Sequence, residues 1–205
     1  MKKAVAWCSG NRFLYPNNME IHHYLKALKH KIQRHGALRD EAWLLICSSM
    51  QHQVLQPNER FIQKDNQLAY VASGLFKEYS AYERTRPSII NLIPADSCFI
   101  TRRHSQQDYL KAATTSLTFS WNFESLMAIY RDYRELKPVY EIFCSEYNTG
   151  LAYRSLILET PEVAQRIRYL KAEYGSLIPY LKKKEMANYL HLNYNHFIKV
   201  FNGML

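Results

Sequence analysis

A chain of 205 residues with 47% hydrophobic residues is long enough to bury one large core or two small ones, which excludes disorder as its main state. The formal charge of +9 at pH 7 favours a polyanionic partner, and its placement discriminates better than its size. Between Val163 and Leu205, seven basic residues (Arg166, Arg168, Lys171, Lys182, Lys183, Lys184, Lys199) stand against Glu173 and Glu185, so +5 of the +9 falls in the last 43 residues.

The opening MKKAVAWCSG is followed at once by Asn11, Arg12, Asn17 and Asn18, too early for the apolar region of a secretion signal. No run of about 18 apolar residues occurs, so no transmembrane helix is expected. Cys8, Cys47, Cys98 and Cys144 lie far apart with no CxxC pair, as expected of reduced thiols in a cytoplasmic protein. Ile21, Tyr24, Leu25, Leu28 and Ile32 have helical spacing, and Asp40 to Met50 repeats it. His22, His23, His30 and His35 show no i, i+4 pairing with an acidic neighbour, so no metal is expected.

From Gln53 to about Asn122 the period changes to short runs rich in β-branched and aromatic residues, including LAYVASGLFKEYSAY, SIINLI and YLKAATTSLTFSW. Pro57-Asn58, Ser73-Gly74, Thr85-Arg86-Pro87 and Pro94-Ala95-Asp96 punctuate them. Strands at this spacing predict a sandwich or barrel rather than a parallel sheet with crossovers.

Helical spacing returns with Phe123, Leu126, Met127 and Tyr130, and again after Pro138 as a stripe of Val139, Ile142, Phe143, Tyr147 and Leu151. A helix of about 20 residues spans about 30 Å. That is longer than a small barrel requires, so the stripe is expected to serve a second copy of the chain. Thr160-Pro161-Glu162 reads as a helix start, with Thr160 as cap. The helix should end near Gly175. Leu181 to Leu190 and Asn193 to Phe201 complete the series, with Asn193 as N-cap of the last helix.

This order of elements resembles the Crp/Fnr family of regulators across roughly Leu44 to Phe201. HQVLQPNERFIQKDNQLAYVASGLFKEY is similar to the family's opening strands, and SIINLIPADSCF to its strand and Gly-Asp-Phe segment, with Ala95-Asp96 at the Gly-Asp position. LKKKEMANYLHLNYNHFIKVFNGML resembles its helix-turn-helix. Glu185, Met186, Ala187, Tyr189 and Leu190 fall on the first helix, with Ala187 as the small residue at the crossing. Met186, Leu190, Leu192, Phe197, Ile198 and Phe201 would lock the pair. His191 stands where the pattern has Gly, so it must accept a left-handed backbone.

The resemblance implies an α+β protein: N-terminal helices and a double-stranded β-helix (jelly-roll) sensor barrel like a cyclic-nucleotide-binding domain over 1–137, a dimerisation helix over 138–159 and an all-α helix-turn-helix domain over 160–205. Asn193, Tyr194, Asn195, His196 and Lys199 would face a major groove, and Lys182, Lys183 and Lys184 the phosphates. The alternative for each is a solvated helix face. No Gly occurs between Gly74 and Gly150, and Gln106-Gln107 stand where the family's Arg-Ser pair would bind a cyclic phosphate, so cyclic AMP is not the expected ligand. Arg102 and Arg103 are the remaining candidates for an anionic effector. No Gly-x-Ser-x-Gly, phosphate loop or Cys-His constellation points to an enzyme, and a single Cys8 near the start does not suffice for an iron-sulfur site. No cofactor is expected. The expected partners are duplex DNA, a second copy, an unknown small-molecule effector and, through the resemblance, RNA polymerase; a membrane is not. The alternative is a degenerate cyclic-nucleotide-binding-like module that acts through protein contacts without specific DNA binding.

Overall fold

The computed structural model describes residues 18–62, 66–82, 86–101 and 107–204, with side chains from residue 21 onward. Arg102, Arg103, Gln106 and Cys8 lie outside the described residues. Helices α1 (Asn18–His35) and α2 (Asp40–Ser49) come first, where the apolar periodicity predicts them. Asp40 and Glu41 in the first turn of α2 complement its positive end.

Seven strands follow: β1 (Gln51–Leu55), β2 (Gln67–Ser73), β3 (Leu75–Ser80), β4 (Ser88–Pro94), β5 (Cys98–Thr101), β6 (Asp108–Ala112) and β7 (Ser116–Asn122). They form two antiparallel sheets, ordered β1-β7-β2-β5 and β4-β3-β6. The chain passes from the first sheet to the second at Gly74, whose φ is +92°. A Cβ there would lie 2.1 Å from Ser116 Oγ, so the junction requires glycine. Asn58 and Asp96, at the ends of the Pro57-Asn58 and Pro94-Ala95-Asp96 turns, have φ of 72° and 62°, residue types that tolerate this region.

Three apolar clusters order the layers. Between the sheets lie Leu55, Phe61, Ala69, Val71, Phe76, Ile93, Phe99 and Leu110, with the Phe61 and Phe99 rings edge to face at 5.1 Å. On the outer face of the first sheet, Leu68, Tyr70 and Trp121 pack under α1, α2 and α3 (Phe123–Asp132). Trp121 donates to the Ile46 carbonyl at 2.8 Å, tying α2 to β7. On the outer face of the second sheet, Leu75, Ile89 and Leu92 pack under three C-terminal helices, α5 (Val163–Tyr174), α6 (Lys183–Tyr189) and α7 (Tyr194–Asn202). Leu75, Ile89 and Leu92 of the sheet thus share one apolar cluster with the helices after residue 160.

Helix α4 (Lys137–Glu159) threads all three clusters, and here the expectation for its stripe is corrected. Val139 and Phe143 are buried under α1, and Tyr147 enters the space between the sheets with Leu151 against it. Further along, Ile157 joins the C-terminal cluster. Val139, Phe143 and Tyr147 are only 4%, 4% and 8% exposed, so the chain's own layers, the N-terminal helices included, cover what the barrel alone could not. Ile142 is half-buried. The outward side of α4 carries Ser145, Asn148, Thr149, Ala152 and Leu156, the last 57% exposed.

Thr160 also departs from expectation. Its hydroxyl donates back to the Leu156 carbonyl at 3.3 Å, so it closes α4, while Glu162 occupies the N-cap position of α5. Short 3-10 helices at Arg134–Leu136 and Gly175–Tyr180 lie on either side. Among the described residues, no helix is long and apolar enough to cross a membrane.

Candidate nucleic-acid interface

The second and third C-terminal helices form a tight bihelical unit. Glu185 starts α6 by accepting the Lys182 amide on Oε2 at 2.9 Å, while the Lys182 carbonyl accepts the Glu185 and Met186 amides. Ala187, 2% exposed, leaves room at the crossing, and its carbonyl accepts the Leu192 amide at 2.9 Å across the turn. His191 takes φ of +53°, the left-handed geometry that a turn residue between the helices requires. Asn193 then caps α7, its Oδ1 accepting the Asn195 and His196 amides at 3.0 and 3.4 Å. Met186, Leu190, Phe197 and Phe201 are buried at the contact, with Leu192 and Ile198 packed half-buried beside them.

With the apolar side of α7 turned inward, its other side is left to water. Asn193, Tyr194, Asn195, His196 and Lys199 are all exposed, on one terminal helix. Asn193 is the exception in chemistry, because its oxygen is engaged as the cap and only the Nδ2 donors remain for a partner. Lys182, Lys183 and Lys184 are exposed at the start of α6. Lys184 Nζ stands 5.7 Å from the Tyr194 ring centre, and Lys183 Nζ lies 5.5 Å from the Phe201 ring and 3.4 Å from Asn202 Oδ1. Lys171 of α5 covers the same Phe201 ring at 4.6 Å. The three α6 lysines and the polar face of α7 are thus brought together as one basic, amide-rich surface.

What sequence reading missed is how this unit is held. Lys77 of β3, 4% exposed, reaches Glu185 Oε1 at 2.5 Å. Asn188 of α6 accepts the Ile89 amide at 2.6 Å and donates to the Pro87 carbonyl at 3.1 Å, so its side-chain amide acts as a strand neighbour for the edge strand β4. At the far end of α6, Arg154 of α4 donates from Nε to the Tyr189 carbonyl at 2.9 Å, and Arg166 of α5 reaches the Leu190 carbonyl at 3.4 Å. Cations at a helix C-terminus oppose its partial negative charge. Tyr189 is wholly buried between Arg154 and Tyr174, and burial, with the nearby Tyr174 second, pushes its phenol far above the usual range. Arg154 had a readable signal: it falls i+7 from Tyr147 on a stripe otherwise apolar or aromatic. Nothing in β3 marks Lys77 as the partner of a residue 108 positions away.

No model of a known protein family matches this chain, and no curated protein does. Solved structures do. A transcriptional regulator assigned to the Crp/Fnr family from Eubacterium rectale aligns with TM-score 0.63 at 12% identity, covering 80% of this chain and 82% of that one. A CooA variant from Carboxydothermus hydrogenoformans gives 0.62 at 14%, covering 78% and 77%. The c-di-GMP responsive global regulator CLP of Xanthomonas campestris gives 0.62 at 11%, covering 81% and 91%. The chain therefore has the fold of these Crp/Fnr regulators, two-sheet domain and C-terminal helices together.

Proposed function

We propose that the chain is a DNA-binding transcription regulator of the Crp/Fnr type, in which α7 reads base edges and the start of α6 holds phosphates. The observation that carries this reading is the capped α7 with its apolar side locked against α6 and with Tyr194, Asn195, His196 and Lys199 exposed. Asn suits adenine edges and Lys suits guanine or phosphate, while the lysines of α6 position without reading sequence. The protein acts as a homodimer, as a helix-turn-helix that reads two half-sites requires, and the outward face of α4 is the surface offered.

Cyclic AMP is not its signal in this reading, because Phe61, Phe76 and Phe99 fill the space between the sheets and Tyr147 donates to Glu78 there at 2.6 Å. In this reading an effector would bind at the open cleft of about 310 Å³ between β4, α4 and α5, walled by Asn91, Tyr153, Glu173 and Tyr174. A ligand there would bias how the helix-turn-helix unit sits on the sheet.

Selection of binding sites from random duplex DNA tests the reading. A recovered palindrome supports it, and Asn195→Ala should lose about 1 to 3 kcal/mol of discrimination on that site. An absence of affinity for any duplex at low salt would overturn it in favour of a module working through protein contacts.

A further inference from the structure

Beside α6, the outer face of the second sheet is only partly covered. The sheet order is β4-β3-β6, and the C-terminal cluster covers β4 and β3 as far as Tyr79 at its margin, while Tyr79, Tyr109 and Lys111 stay half-buried and so reach water in part. On this strip Tyr79 and Tyr109 are direct cross-strand partners, and their rings stack 5.0 Å apart with planes 9° from parallel. Two cations rest on them. The Arg60 guanidinium lies 4.3 Å from the Tyr109 ring centre, and Lys111 Nζ lies 5.6 Å from Tyr109 and 5.9 Å from Tyr79. Arg60 is exposed and Lys111 half-buried, and neither is in an ion pair within 4.0 Å among the described residues.

The strand register sets where this strip stands. Lys111 is the cross-strand partner of Lys77, and Lys77 is the residue that holds Glu185 at the start of α6. Paired positions on one face lie about 5 Å apart. Lys111 is therefore one strand beyond the turn that presents Lys182, Lys183 and Lys184. Because Lys77 is neutralised by Glu185 while Lys111 has no ion-pair partner among the described residues, positive charge continues from α6 onto the sheet.

We propose that Arg60 and Lys111, stiffened by the Tyr79–Tyr109 stack, form a phosphate-holding strip that extends the DNA contact from α6 onto the β domain. This rests on the DNA-binding reading of α6 and α7. A lone cation on a long side chain loses rotamer freedom when it binds, whereas an ammonium or guanidinium already laid on a ring loses less. The strip contacts the backbone alone and adds affinity without adding sequence preference.

The test is the salt dependence of the full-length protein on a 50-base-pair random-sequence duplex, followed by fluorescence anisotropy. Two phosphate contacts account for about 1.8 in the slope of log affinity against log salt, so from 50 to 200 mM salt the unmodified protein should lose about twelve-fold more affinity than R60Q/K111Q. Glutamine keeps much of each stem, and a circular dichroism melt at the unmodified temperature shows that the variant is folded. K182Q/K183Q/K184Q serves as the second arm. If that variant flattens the slope and R60Q/K111Q does not, the strip lies off the DNA and the proposal falls while the DNA reading stands. If the unmodified protein has no salt-dependent affinity for the duplex, both fall.

Discussion

Replacing Lys77 by Met keeps the aliphatic stem and deletes the ammonium that meets Glu185 at 2.5 Å, with side chains 5% and 19% exposed. Removing one partner of a buried pair typically costs about 3 to 5 kcal/mol, because the other charge stays desolvated. Here Glu185 keeps the Lys182 amide and some contact with water, so Lys77→Met is expected nearer 2 kcal/mol. Glu185→Gln retains an acceptor for the cap but leaves the deeper-buried ammonium facing a neutral amide, for about 2 to 3 kcal/mol. The double variant strands no charge and should cost only about 1 to 2 kcal/mol, giving a coupling of about 3 kcal/mol. Urea denaturation of the four proteins measures it, with tryptophan fluorescence and circular dichroism followed together, because a shared core predicts coincident transitions. Singles that add to the double within about 0.5 kcal/mol would show that the ion pair does not hold α6 on the sheet.

Outward and inward positions of α4 should respond differently to an introduced charge. Ala152→Glu or Leu156→Glu, on the outward face, should turn a dimer into a folded monomer by light scattering, whereas Phe143→Glu should destabilise the monomer itself by more than about 3 kcal/mol in the same urea assay. The cysteines give a chemical readout. Burial pushes the Cys47 thiol up from 9.0 to about 11, with Lys29 opposing the shift, so the group stays protonated until well above neutrality. At pH 8 its thiolate is about one in 1,000 rather than about one in 10, and iodoacetamide should label it about 100-fold more slowly than an exposed thiol, rising about ten-fold per pH unit. Cys98 is buried and shifted further in the same direction, so peptide mass spectrometry should find it unlabelled until the protein unfolds. Rapid labelling of Cys98 in the folded protein would contradict the packing of β5 under α1 and α4.

Local chemistry was legible wherever a residue's role depends on its immediate neighbours. Gly74 between strands, Asn193 at a helix start, His191 in a left-handed turn and the helical spacing of Met186, Leu190, Phe197 and Phe201 all declare themselves, because backbone sterics and a 3.6-residue period act over a few positions. The exposed face of α7 follows from that same period. Tertiary structure decided the rest. The stripe of Val139, Phe143 and Tyr147 is apolar whether a second copy or the chain's own layers cover it, and only the position of α1 and the two sheets assigns it to the monomer. Lys77 and Glu185, Asn188 and β4, and Arg154 and the end of α6 are pairings across 108, 99 and 35 residues. A charge or an amide in the sequence states that a partner is needed if it is buried; which partner it finds depends on how the sheets and helices stack, and no short-range pattern carries that information.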